Sequence, residues 1–90
     1  MEKKRSGKSI TVLNEDWKRE SIYKDYPFRA AIMKKGTTED MFPYVEFEQQ
    51  EAESGNYAEI CESFNGGVYI FAKRKPDKDI NVKVKLMKLV

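Results

Sequence analysis

Residues 44–75 read YVEFEQQEAESGNYAEICESFNGGVYIFAKRK, with Pro43 before them and Pro76 after. Three runs, 44–50, 57–64 and 68–75, are separated by Ser54-Gly55-Asn56 and Asn65-Gly66-Gly67. Gly and Asn tolerate positive φ, so both separators suit two-residue hairpin loops. The stretch predicts a three-strand antiparallel meander.

A register follows from the loops. With Gly55-Asn56 as the first loop, Phe47 faces Phe64, Glu48 faces Ser63, Gln49 faces Glu62 and Glu51 faces Ile60. No glutamate meets another, which avoids like charges opposite one another. With Asn65-Gly66 as the second loop, Ile60 faces Phe71, Cys61 faces Ile70 and Glu62 faces Tyr69. Side chains alternate faces along a strand. One face therefore collects Val45, Phe47, Ile60, Phe64, Tyr69 and Phe71, the expected core face, with Phe47, Ile60, Phe64 and Phe71 packed together. The other collects Tyr44, Glu46, Glu48, Tyr57, Glu59, Cys61, Val68 and Ile70, an expected mixed surface. A rival reading makes 57–64 a short helix, because Tyr57, Ile60, Cys61 and Phe64 also fall on one helical stripe. Asn56 would cap it and Gly66 would end it.

Working outward, 9–13 is a β-branched run and an expected first strand. Asn14-Glu15-Asp16 is a turn or cap, and 17–26 fits no single period. Trp17, the only tryptophan, reads as a lid on the core because a large aromatic buries much area. Residues 28–33 alternate after Pro27 and predict a strand. After Pro76, Val82, Val84 and Leu86 alternate with Lys83, Lys85 and Met87, giving one apolar and one basic face. The fold expected is mainly β: five or six antiparallel strands, either a small barrel or a sheet packed on itself. The alternative is α+β with the helix at 57–64. Residues 1–8 are expected to be a disordered basic arm and 9–90 a single domain.

Composition narrows the chemistry. The chain has 90 residues, no histidine and one cysteine, Cys61. Imidazole bases and ligands are excluded, as are an internal disulfide and a Cys-based zinc site. Gly7-Lys8-Ser9 matches the end of a phosphate-binding loop, but Glu2 stands where its first glycine belongs. Glu46, Glu48, Glu59 and Glu62 have no spacing that singles out a catalytic pair. Glu39-Asp40 lacks the spaced ligands of a calcium loop. No catalytic, cofactor or metal site is therefore expected. Without a signal peptide or a long apolar run, the expected location is the cytoplasm, with no membrane contact.

Charge is segregated: residues 1–38 carry +5, 39–62 carry −8 with no Lys or Arg, and 63–90 carry +5. Two functions follow. The first is a small non-enzymatic protein-binding module, an adaptor or inhibitor. It would meet a larger protein with a basic site through an acidic face of Tyr44, Glu46, Glu48, Tyr57 and Glu59. The second is a sheet binding single-stranded nucleic acid through Tyr69, Phe71, Arg74, Lys75, Lys78, Lys83 and Lys85. Residues 68–75 share the composition of an RNA-stacking strand but lack its Lys/Arg-Gly opening and the glycine between its aromatics. A second copy of the chain is an admissible partner under either reading.

Overall fold

The structure, a computed structural model, describes residues 9–88. The chain runs β1 (Ser9–Val12), a 3-10 turn (Asn14–Asp16), β2 (Phe28–Met33), β3 (Met41–Phe47), α1 (Gln49–Glu53), β4 (Glu62–Phe64), β5 (Gly67–Ala72) and β6 (Ile80–Lys88). The strands form two antiparallel three-stranded sheets, ordered β1-β6-β3 and β2-β5-β4. The protein is mainly β, as expected, but the sheets do not close into a barrel. The basic arm expected at 1–8 lies outside the described residues.

One face of each sheet meets the other in a shared core. Val12, Ile80, Val82 and Val84 come from β1-β6-β3, and Ala30, Ile32, Val68, Ile70 and Ala72 from β2-β5-β4. The registers stack these groups in rows: Val12 opposite Ile80, Val45 opposite Val84, Ala30 opposite Ile70 and Ile32 opposite Val68. Such rows of β-branched and small residues fill the space between the two sheets. Trp17 is 2% exposed, 5.9 Å from the Tyr57 ring, and fills the position of lid.

The second half of the expected meander forms. Asn65-Gly66 joins β4 to β5, with Glu62 opposite Tyr69 as the turn chemistry requires. Gly66 takes the positive φ, 109°, that a side chain would resist.

The first half does not form. Met41–Phe47 pairs with β6, so Phe47 lies opposite Val82 and not Phe64. Gln49–Glu53 is helical. Its Gln, Glu and Ala are good helix formers, and none is β-branched. Gly55, at φ 74°, lies just beyond the helix and is not a hairpin loop. The rival helix over 57–64 is also absent. Tyr57 bridges to Ala72 and Glu62 pairs with Tyr69, so Ala58, Glu59, Ile60 and Cys61 bulge out opposite Ile70 and Phe71.

The expected faces of β5 are exchanged. Val68 and Ile70 point into the inter-sheet core, while Tyr69 and Phe71 point to the far side of β2-β5-β4. Ile60 is 58% exposed, so Phe47, Ile60, Phe64 and Phe71 do not form one cluster. Phe47 stacks on Tyr57 at 4.5 Å and Phe64 on Tyr69 at 4.3 Å, on opposite sides of that sheet. Close packing explains the exchange. Val68 and Ile70 continue the aliphatic rows of Ile32 and Ala30 on the core face, while Tyr69 and Phe71 find ring partners outside, in Phe64 and Tyr23.

Candidate interaction surface

Each sheet has one face turned away from the core, and the two faces differ. The outer face of β2-β5-β4 is roofed by the chain between Trp17 and Phe28. Lys18 pairs with Arg29 through both backbone bonds, each 2.8 Å, which brings the connection back over the sheet. The Tyr23 ring then packs edge-on against Phe71 at 4.9 Å, and its hydroxyl donates to the Glu62 carboxylate. That bond, and next the desolvation around it, raise the Tyr23 pKa. The Arg29 guanidinium lies 4.2 Å from the Tyr69 ring centre and 3.6 Å from Glu20. Phe71 ends up 1% exposed.

The outer face of β1-β6-β3 is open among the described residues. Thr11, Asn81, Lys83, Lys85, Met87, Phe42, Tyr44 and Glu46 are all exposed. Phe42 is 54%, Tyr44 57% and Met87 51% exposed. The register sets Phe42 directly opposite Met87, Tyr44 opposite Lys85 and Glu46 opposite Lys83. Side chains standing opposite on one sheet face are neighbours along the row. This face is therefore an apolar end, Phe42 and Met87, running through an aromatic–lysine row into an acid–base row.

An acidic hollow borders it along the edge of β3. An open hollow of about 660 Å³ is lined by Pro43 to Phe47 of β3, Ala52 of α1, and Tyr57, Ala58, Glu59 and Cys61. The hollow ends where β4 and the Cys61 before it close on the β3 edge: Ser63 Oγ donates to the Met41 carbonyl at 2.8 Å and Cys61 Sγ to the Pro43 carbonyl at 3.3 Å. Pro43 suits this edge because it has no N–H to offer. Burial pushes the Cys61 thiol pKa up, and the Val45 backbone partly offsets it.

The expected protein-binding set is thus partly assembled. Tyr44 and Glu46 stand on the open face, and Tyr57 and Glu59 line the hollow beside it. Glu48 falls at the start of α1, beside Ser9 and Lys83. Tyr57 is no surface anchor: it stacks on Phe47, and its hydroxyl donates to Glu51 at 2.8 Å. Burial, and next the Glu51 carboxylate, raise its pKa well above the usual tyrosine value.

The nucleic-acid set is dispersed over three places. Tyr69 and Phe71 lie under the roof of β2-β5-β4. Arg74, Lys75 and Lys78 belong to the connection before β6, where Asn56 clamps the Arg74 backbone at 2.9 and 3.0 Å and Lys78 lies 3.5 Å from Glu51. Lys83 and Lys85 stand on the opposite sheet.

Sequence reasoning missed Phe42 and Met87. The alternation of β6 marked the outward face of Met87, but Phe42 could be placed only once β3 was paired with β6. Among the described residues no three Cys, Asp or Glu side chains gather where a metal ion could be held, and no helix is long and apolar enough to cross a membrane. Comparison with protein-family models, curated proteins and solved structures finds no match.

Proposed function

We propose that this chain is a small non-enzymatic protein-interaction module that binds through the open face of β1-β6-β3. One observation carries the reading. Phe42, Tyr44 and Met87, each more than half exposed, stand together on a sheet face that nothing covers among the described residues. Contiguous exposed apolar groups rimmed by charge are the usual mark of a protein contact. Tyr44 supplies an anchor, and Glu46, Lys83 and Lys85 supply the polar rim. A reducing, cytoplasm-like compartment suits the free thiol of Cys61.

The alternative, a sheet binding single-stranded nucleic acid, asks for aromatic platforms lying along one basic groove. Here Phe71 is buried, and the basic residues of that set are split between a loop and the other sheet. Glu46 also stands directly opposite Lys83 on the open face.

The test compares the full-length protein with Phe42→Glu, which should fold because Phe42 lies outside the core. Nuclease-treated host lysate is passed over each. Protein retained by the parent and lost with Phe42→Glu is the expected result. Fluorescence anisotropy with a labelled single-stranded oligonucleotide is the opposing arm. Binding that depends on Phe42 and falls steeply with salt would replace the protein reading with the nucleic-acid one.

A further inference from the structure

We propose that the partner seated on the open face of β1-β6-β3 is a second copy of this chain. The proposal rests on the protein-interaction reading above and names the partner of that same surface.

The argument starts from the β3–β6 register. Three outward rows follow one another: Phe42 with Met87, Tyr44 with Lys85, and Glu46 with Lys83. Each row joins complementary groups: apolar with apolar, aromatic with ammonium, acid with base. In an isologous contact, residue i of one copy meets j of the other, and j meets i. A two-fold axis parallel to the strands, midway between β3 and β6, lays each β3 group over the second copy of its own cross-strand neighbour. Phe42 then meets Met87, Tyr44 meets Lys85 and Glu46 meets Lys83. Every group faces its complement twice. Sheets packed this way keep their strands aligned, the common arrangement for stacked sheets. The other in-plane axis, across the strands through Tyr44 and Lys85, would set Phe42 over Glu46 and Met87 over Lys83. It would desolvate charges against apolar groups, so the first axis is preferred.

Charge also selects this occupant. The face carries Glu46 beside Lys83 and Lys85. A partner of one sign would be repelled somewhere on it, whereas across this axis a second copy sets Glu46 against Lys83 and Lys85 against the Tyr44 ring. The contact is small. Only β3 and β6 overlap across this axis; two strands about 4.8 Å apart and about 23 Å long give a footprint of roughly 220 Å² per copy. That is below the usual range for specific contacts, so association should be weak and reversible, roughly 0.1–1 mM.

The experiment is sedimentation velocity on the full chain, from about 20 µM to about 2 mM, which brackets an interface of this size. The parent should shift from monomer to dimer, and Phe42→Glu should stay monomeric. Tyr44→Ser replaces Phe42→Glu if that protein loses its circular dichroism spectrum. Glu46→Lys and Lys83→Glu, each alone, should weaken self-association at least about tenfold, because like charges then face each other across the axis. Mixing the two variants in equal amounts should restore a dimer, a heterodimer. Mixing leaves the intrachain pair of each protein unrepaired, so recovery must arise between chains. A parent that is monomeric throughout overturns the second copy. If lysate protein is then captured in a Phe42-dependent way, the broader reading stands; if none is, both fall. A dimer indifferent to Phe42→Glu overturns the surface, and failure of the mixture to recover overturns the axis.

Discussion

Phe71 and Phe42 both point away from the inter-sheet core, one from β5 and one from β3, yet Phe71 is 1% exposed and Phe42 54%. The difference is made by the connections. The link between β1 and β2 sends Trp17 into the core, pairs Lys18 with Arg29 and lays Tyr23 over Phe71. On the other sheet, α1 and the bulged segment 58–61 stay beside the β3 edge and leave the face open. A sheet with two apolar faces needs two covers. For β2-β5-β4 the second cover is the chain between Trp17 and Phe28; the outer face of β1-β6-β3, mostly polar, is open among the described residues.

The sharpest way to break that comparison is to remove both rings. Phe71→Ala should cost about 3–5 kcal/mol, the usual loss for a buried phenylalanine. Phe42→Ala should stay within about 0.5 kcal/mol in dilute solution, as for other surface changes. Urea unfolding checks both. Equal losses would mean that the two faces are equally covered.

A second test concerns how tightly the covered sheet is drawn together. A Cβ at Gly67 would fall against the Ile32 carbonyl oxygen and 2.6 Å from the Phe64 ring. Backbone cannot yield as a flexible side chain does, so Gly67→Ala should cost about 1–3 kcal/mol. An unchanged melting curve would show that β2 and β5 are looser than described.

Tyr57 ties α1 to the core beside the open face. Tyr57→Phe removes the 2.8 Å bond to Glu51 and should cost about 1 kcal/mol at neutral pH. Its alkaline behaviour is more telling. The folded state raises this pKa above the ordinary 10.0. Below that value both states hold the proton. Above it the unfolded chain ionises first, so stability falls as pH rises. Urea midpoints at about pH 8 and about pH 11 should diverge less for Tyr57→Phe than for the parent. Equal divergence would rule Tyr57 out as the source.

The smallest effect is expected on the open face itself. Glu46→Lys sets two like charges opposite and should cost roughly 0.2–1 kcal/mol in the monomer. A larger loss would mean that Glu46 is held in a covered, structured network.

Local features were legible in the sequence. Asn65-Gly66 fixed the β4–β5 register, because a two-residue loop leaves one pairing open. Residues 28–33 were identified as a strand, and the alternation after Pro76 identified β6 with its buried valines. The sequence also marked Trp17 as buried and Tyr44 and Glu46 as surface. Tertiary structure decided the rest. Alternation says that the two faces of a strand differ, but on β5 both faces are apolar: Val68 and Ile70 on one, Tyr69 and Phe71 on the other. Only the packing of the assembled sheets settles which set turns inward: Val68 and Ile70 join Ile32 and Ala30 in the shared core. The partner of β3 was likewise beyond local reading. Residues 41–47 could pair with the nearest strand or a distant one, and the choice rests on rows of apolar contact with β6, some forty residues away in the chain. Loop closure over that distance costs only slightly more than over a short one. Packing therefore outweighs proximity, and packing is a property of the assembled sheets rather than of any one stretch.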